Sequence, residues 1–459
     1  MRCLIVAAGR GSRLASRAEP KPLVPLLGLP LLERVVRTAR EAGVTECCVV
    51  TGHRGEEVRR FLAGLSSRLG VPIRTVDHPG WEAGNGSSVL AGRPCVGEGP
   101  FLLLMADHLM DPAIPQALVR AAEEGALAEG EGADLLLAVD TRLDNPAVDP
   151  ADVTRVRLRG ERILAIGKGL EGADGYDTGA FLCGPGLFAA LEEALAAGEG
   201  SLSAAVQRLA ARGRARALDL RRAIGDEAWW VDVDDEAAFR RAEALLLERL
   251  RAKANDGPVS RWLNRPLSIR LTRRLAAWPL TPNQLSVAVF LLSVLAAWLL
   301  ARPGYAALAA GGLLAQAASV LDGCDGELAR LRHQRSDFGG WLDAVLDRYA
   351  DALLLGGLAW HAYRWDGAGE AALLWGFAAV AGSFVLSYTA DKYDGLMRAR
   401  VTGTGWRLGR DLRVLLVAAG ALLHLPLGAL ALTALLMNAE VLRRILVARR
   451  AAAGAGAKA

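Results

Sequence analysis

Short apolar runs and amphipathic stretches alternate through the first half of the chain. Residues 4–7, 46–50, 101–105 and 135–139 are runs of four to five, each giving way within two residues to Gly, Asp or Thr. Stretches at 31–42 and 56–69, apolar every three or four positions, lie between them. Short continuous runs suit strands buried on both faces, and the periodic stretches suit the helices that cover them. The alternation predicts an α/β, Rossmann-like layer with a mainly parallel sheet over residues 1–245. A charged helix follows at about 235–253, then Ala254-Asn255-Asp256-Gly257-Pro258, which reads as a linker.

Beyond Pro258 the apolar runs lengthen. Six are long enough to span a bilayer: 281–301, 304–322, 340–361, 369–390, 411–425 and 427–447, the fifth being the shortest. Basic residues crowd alternate connections. Arg330, Arg332 and Arg335 follow the second run; Lys392, Arg398, Arg400, Arg407 and Arg410 follow the fourth; Arg443, Arg444, Arg449 and Arg450 follow the sixth. The positive-inside rule then puts both termini in the cytoplasm of a multi-pass protein of the cell membrane. Residues 260–278 interleave Arg261, Arg265, Arg270, Arg273 and Arg274 with Leu, Ile and Trp, as an interfacial amphipathic helix does. The expected organisation is an α/β domain at 1–245, a linker and interfacial helix at 246–280, and an all-α, six-helix transmembrane domain at 281–459. No internal repeat is visible, and the last nine residues, rich in Ala and Gly, read as a disordered tail.

Composition agrees with the division. Of 459 residues 52% are hydrophobic and 23% charged, and the mean hydropathy is +0.23, which excludes a disordered chain and is high for a soluble one. A net charge of +4 is no nucleic-acid signature at this length. Six cysteines, two of them adjacent, make no disulfide framework and suit a reducing compartment. The apolar run after Met1 is too short for a signal peptide.

The first strand runs through Ala7 and Ala8 into Gly9-Arg10-Gly11-Ser12-Arg13-Leu14, and Pro20-Lys21-Pro22-Leu23 follows. Glycines let the backbone approach a phosphate chain, and prolines hold Lys21 as a fixed cation against it. The pair at this spacing resembles the signature of the nucleotidyltransferases that build nucleoside-diphosphate sugars and alcohols. That resemblance implies nucleotide binding by Ala7, Ala8, Gly9 and Gly11, with base and ribose read by Asn85, Gly86 and Ser87. It implies catalysis by Lys21 and Arg13, metal binding at Asp107, and a second metal ligand at Asp234, with Asp232 its neighbour. Lys168 and Asp177 match the segment that holds the acceptor. His53 and His108 read as surface or core residues.

A second motif lies at the end of the second apolar run: Asp322-Gly-Cys-Asp325-Gly326-Glu-Leu-Ala-Arg330, then Gly339, Asp343 and Asp347. Asp322 and Asp325, and likewise Asp343 and Asp347, share a helix face. Four carboxylates beside apolar spans demand cations, and an all-oxygen set suits Mg²⁺ or Mn²⁺. The pattern is the signature of the CDP-alcohol phosphotransferases. The resemblance implies metal binding by Asp322, Asp325, Asp343 and Asp347, with Asp347 also the base. It further implies CDP binding by Gly326, Arg330 and Ser336, with Thr281 another nucleotide contact. Arg410 and Arg413 either bind an acceptor phosphate or mark the membrane boundary. Asp351 and Cys324 read as structural.

One half would make a CDP-alcohol from CTP and the other would consume it. The combination resembles the two-headed enzymes that join CTP to inositol 1-phosphate and pass CDP-inositol to a second inositol 1-phosphate, releasing CMP and the phosphorylated di-inositol phosphodiester. The alternative is transfer of a headgroup to a lipid acceptor. The implied partners are CTP, inositol 1-phosphate, a CDP-alcohol and the lipid bilayer, with a homodimer through the membrane half and both active sites cytoplasmic.

Overall fold

The structure, a computed structural model, describes residues 1–14, 16–127, 132–251, 257–397 and 408–456. The linker residues Ala254, Asn255 and Asp256, the basic residues Arg398, Arg400 and Arg407, and the end of the tail lie outside the described residues. The chain forms two compact units, Met1–Leu246 and Leu247–Ala459.

The strands of the first unit that bear on function are β1 (Arg2–Ala7), β2 (Glu46–Thr51), β3 (Ile73–Asp77), β4 (Phe101–Met105), β5 (His108–Met110), β6 (Leu135–Asp140), β7 (Arg155–Arg159), β8 (Arg162–Gly167), β9 (Gly175–Cys183), β10 (Ala215–Asp219) and β11 (Trp230–Asp232). Nine form one sheet in the order β3-β2-β1-β4-β9-β6-β10-β8-β7. The first four in that order are parallel, as the runs predict. β9 enters between β4 and β6 antiparallel to both, so the sheet is mixed. Both faces are covered. Cys3, Ile5 and Ala7 pack into one hydrophobic layer and Leu4 into the other, which is why these strands read as unbroken apolar runs. The predicted helices are Leu31–Glu41 and Gly55–Leu69. Cys48 and Cys95 are paired as a disulfide, where the sequence reading expected reduced thiols.

β5 and β11 form a separate two-stranded ladder with Asp232 opposite His108. The Val233 amide donates to the Asp107 carbonyl at 3.0 Å. This ladder brings the last segment of the unit to the carboxyl end of β4.

The second unit is helical: α1 (Arg265–Leu275), α2 (Pro282–Leu300), α3 (Tyr305–Leu331), α4 (Asp337–Arg364), α5 (Glu370–Met397), α6 (Arg410–Leu422) and α7 (Pro426–Gly456). Each of the six long apolar runs falls in one of α2 to α7. Among the described residues three helices are long and apolar enough to cross a membrane, α2, α3 and α5. α4 carries Asp343, Asp347, Arg348 and Asp351, and α6 has only 13 residues. Small residues set the packing distance, as is usual between apolar helices. A Cβ at Gly357 would lie 2.5 Å from the Ala297 carbonyl oxygen, and one at Gly312 would lie 2.7 Å from the Ala421 side chain.

The amphipathic stretch at 260–278 differs from expectation in one respect. Trp262 and Leu267 are exposed, as an interfacial face requires. Arg265, read as part of the charged face, is buried. Its guanidinium donates to Glu327 Oε1 at 2.7 Å, and the hydroxyls of Ser268 and Thr272 donate to the same carboxylate at 2.6 and 2.7 Å. Glu327 is fully buried, so its charge requires this set of donors. α1 is thereby tied to α3 within the aspartate motif, two residues after Asp325.

Two candidate active sites

In the first unit the loop after β1 opens onto a cavity of about 330 Å³ lined by Ala7, Gly9, Gly11, Arg13, Lys21, Asp107 and Asp234. Gly11 has φ +62, and a Cβ there would lie 2.4 Å from Lys21 Cδ. Only glycine lets the lysine stem pass under the loop. Lys21 Nζ donates to Asp107 Oδ2 at 2.6 Å and to Asp234 Oδ1 at 2.5 Å. Arg13 donates to Asp234 Oδ2 at 2.8 Å and to Asp152 Oδ2 at 2.7 Å. The predicted catalytic and metal-binding residues of this half therefore form one contiguous charge array. Burial opposes the Lys21 charge, but Asp107, Asp234 and Asp232 outweigh it and raise the ammonium's pKa. Burial opposes the Asp107 charge too, and Lys21 and His108 together hold that carboxyl well below its usual range.

A second cavity of about 300 Å³ adjoins the first, sharing Val6, Gly9, Asp107 and Asp234 and adding Asn85, Asp152, Lys168 and Asp177. Lys168 and Arg13 both bond Asp152, which their hydrogen bonds pull down to a pKa of about 2. Burial pushes Asp177 up to about 6. Asp177 Oδ1 accepts from the Gly179 amide at 2.8 Å. Gly179 has φ +74, and a Cβ there would lie 2.4 Å from the His108 ring.

Three predicted nucleotide contacts support this wall without forming it. Ala8 is buried, and its carbonyl accepts from the His53 amide at 2.9 Å. The Gly86 amide donates to the Gly200 carbonyl, and the Ser87 hydroxyl to the Gly84 carbonyl. They fix the loop that presents Asn85. His108, read as a surface or core residue, instead lies between two carboxylates, with Nδ1 3.0 Å from Asp107 and 3.7 Å from Asp232. Burial lowers its pKa, but Asp232 and Asp107 raise it further, to about 9. Asp152 carried no signal in the sequence.

In the second unit the motif aspartates converge from α3 and α4. Oxygens of Asp322, Asp343 and Asp347 lie within 4.8 Å of one another. Arg410 Nη1 is 2.8 Å from Asp322 and 2.7 Å from Asp347, and its Nε donates to Asp351 at 3.2 Å. Arg413 Nη2 lies 3.2 Å from Asp351. Arg410 thus belongs to the acidic cluster rather than to a plain boundary, and Asp351 holds both arginines.

Asp325 turns toward α2, where it accepts from the Ser286 hydroxyl at 2.5 Å. It faces a cavity of about 270 Å³ lined by Asn283, Ser286, Gly326, Arg330, Ser336, Gly339 and Asp343. Thr281 does not line this cavity. Its hydroxyl caps α2 by accepting from the Gln284 amide, and the Gln284 side chain accepts from the Thr281 amide at 2.9 Å. This capping box satisfies two amides at the helix start, and the α2 residues that line the cavity are Pro282, Asn283 and Ser286.

Comparison with known proteins finds a match for each half of the chain. Residues 3–217 match the model of the MobA-like NTP transferase domain, and residues 279–446 match that of the CDP-alcohol phosphatidyltransferases. A bifunctional IPC transferase and DIPP synthase of Rubrobacter xylanophilus is 43% identical over 97% of this chain and 96% of its own length. The chain belongs to this bifunctional family. The Aquifex aeolicus member is 34% identical over 85% of this chain and 84% of its own. A solved inositol-1-phosphate CTP transferase from T. maritima aligns with 52% of this chain and 94% of its own, at 25% identity and a TM-score of 0.45.

This member of the family is therefore a nucleotidyltransferase joined to a CDP-alcohol phosphotransferase, two enzyme classes that use divalent metal ions. The donor sets fit such ions. One ammonium touches both Asp107 and Asp234, so one cation reaches both carboxylates. The second cluster is all carboxylate, the choice of hard cations.

Proposed function

We propose that the chain catalyses two consecutive reactions. CTP and inositol 1-phosphate give CDP-inositol and diphosphate. CDP-inositol and a second inositol 1-phosphate then give the phosphorylated di-inositol phosphodiester and CMP. The observation that carries this reading is the likeness to a bifunctional IPC transferase and DIPP synthase across 97% of the chain.

In the first reaction a phosphate oxygen of inositol 1-phosphate attacks the α-phosphorus of CTP, and the bond to the β-phosphate breaks. Both reactants are anions, so the protein's part is positioning and charge neutralisation. Lys21 and Arg13 supply fixed positive charge at the phosphates. Asn85 faces the base and ribose, while Lys168 and Asp177 hold the acceptor. Asp107 and Asp234, with Asp232 beside them, would hold Mg²⁺, whose positive charge would offset that of the triphosphate.

In the second reaction a hydroxyl of the second inositol 1-phosphate attacks the phosphorus that bears inositol, and CMP leaves. Asp347 accepts the hydroxyl proton. Asp322, Asp325, Asp343 and Asp347 would hold Mg²⁺ (or Mn²⁺), and Gly326, Arg330 and Ser336 line the CDP pocket. Arg410, already paired with Asp322 and Asp347, is suited to receive the acceptor's phosphate. All six long helices would cross the cell membrane, with both termini and both sites cytoplasmic, and the membrane units would pair as a homodimer.

The test is to incubate the detergent-solubilised chain with CTP, Mg²⁺ and inositol 1-phosphate and to follow phosphorus by NMR. A phosphodiester signal rising with diphosphate and CMP is the expected result. CDP-inositol accumulating without CMP would move the second reaction to a lipid acceptor. Absence of diphosphate would refute inositol 1-phosphate as the substrate.

A further inference from the structure

Three side chains that neither reaction uses converge at the other end of the helical unit. His361 sits in the last turn of α4, Asp366 in the connection to α5, and His424 in the connection from α6 to α7. His361 lies fourteen positions beyond Asp347 on the same helix, roughly 20 Å along the axis. His361 Nε2 and His424 Nε2 lie 3.5 and 3.4 Å from the same oxygen, Asp366 Oδ1. One donor atom from each residue falls within 4.8 Å of the other two.

These separations exceed a hydrogen bond between nitrogen and oxygen, roughly 2.7–3.2 Å. They match the edge between ligands around a tetrahedral ion. With bonds of roughly 2.0–2.1 Å to nitrogen and oxygen, that edge is about 3.3–3.4 Å.

The protonation pattern agrees. His361 is 1% exposed, and its Nδ1 lies 3.0 Å from the Leu300 carbonyl oxygen. A carbonyl only accepts, so Nδ1 carries the proton and Nε2 presents its lone pair to Asp366 and His424. An outer hydrogen bond of this kind orients metal-binding imidazoles generally. The His424 ring meets Tyr305 edge to face, and the Tyr305 hydroxyl donates to the Leu422 carbonyl at 2.9 Å. The His424 side chain remains 53% exposed, so one side of the cluster is open to water.

We propose that His361, Asp366 and His424 form a binding site for a divalent transition ion of the zinc type, with its fourth position taken by water. Two imidazoles and one carboxylate select zinc and its neighbours over magnesium, which prefers oxygen throughout. Through His361 and its carbonyl partner the ion joins the end of α2 to α4 and to both connections. It would therefore act as a cross-link rather than a catalyst.

The test uses the full chain in detergent with Mg²⁺ in large excess, so that the acidic clusters are occupied. Zn²⁺ binding is measured by equilibrium dialysis and elemental analysis, and Co²⁺ serves as a visible probe of tetrahedral geometry. The variants are Asp366→Asn and His424→Asn. Asparagine suits the latter position because His424 has φ +54 and Asn tolerates that region well. Wild type should hold one Zn²⁺ per chain and show tetrahedral Co²⁺ absorption. Each variant should bind more weakly by at least the roughly 10–100-fold that loss of an outer partner costs. Zn²⁺ should raise the thermal midpoint of wild type alone. Equal uptake by all three proteins, or no uptake by wild type, would overturn the proposal.

Discussion

Replacing Lys21 by Met tests the first site at its centre. Lys21 is 7% exposed, and its ammonium contacts two carboxylates at 2.6 and 2.5 Å. At an effective dielectric of about 20, each contact is worth roughly 6 kcal/mol of gross Coulomb energy. Desolvation offsets much of this, and breaking a buried pair costs about 3–5 kcal/mol net. That is below the stability of most domains, roughly 5–15 kcal/mol, so the unit should stay folded at 25 °C. Met keeps the apolar stem that packs against Gly11. Losing one preorganised positive group at a reacting phosphate lowers turnover by about 10²–10³. The assay is diphosphate release from CTP, run beside CMP release from supplied CDP-inositol. The expected result is a loss of that size in the first reaction and none in the second. CTP turnover within threefold of wild type would refute the role of Lys21, and loss of both activities would refute the independence of the two sites.

Other predictions follow from the same geometry. Asp347→Asn should abolish CMP release and leave diphosphate release unchanged, measured on the two half-reactions separately. Glu327→Ala strips the Arg265 guanidinium of its buried partner, so the helical unit should lose about 3–5 kcal/mol, read as a lower denaturation midpoint in detergent. Gly11→Ala should push Lys21 aside and reproduce most of the Lys21→Met defect in diphosphate release. Asp177 is raised to about 6 by burial, so the folded state binds a proton there that the unfolded state, near its ordinary value, does not. Its contribution to stability falls as pH rises from about 4 to 6. Asp177→Asn should remove that slope, seen in stability curves of the first unit.

Local features of both sites could be read directly from the sequence, and long-range ones could not. The glycine loop, Lys21 and the four motif aspartates announce themselves because their spacing is fixed within one loop or helix pair. The parallel block of the sheet was legible because both its faces are buried. β7 alternates arginine with apolar residues (Arg155-Val-Arg-Leu-Arg) and lies at the sheet edge, so it lacks the unbroken apolar run that marks a central strand. Asp152 is recognisable only once Arg13 and Lys168 meet it in space. Asp232 and Asp234 cannot be told apart by neighbourhood. The ladder with His108 sends one toward the imidazole and the other toward Lys21. Thr281 shows the reverse case. Its Thr-x-x-Gln spacing is a helix-start pattern, and that local duty turned its hydroxyl away from the cavity.

The ladder of β5 and β11 also dictates when the first activity can exist. The match to the NTP transferase domain stops at residue 217, yet Asp234 reaches Lys21 only after Trp230–Asp232 has zipped onto His108–Met110. A fragment trimmed at residue 217 would keep eight strands of the sheet and the first three residues of β10, and still lack Asp234. During synthesis the loop, the lysine and Asp107 must wait for more than a hundred further residues. Their site closes just before the first apolar helix is made.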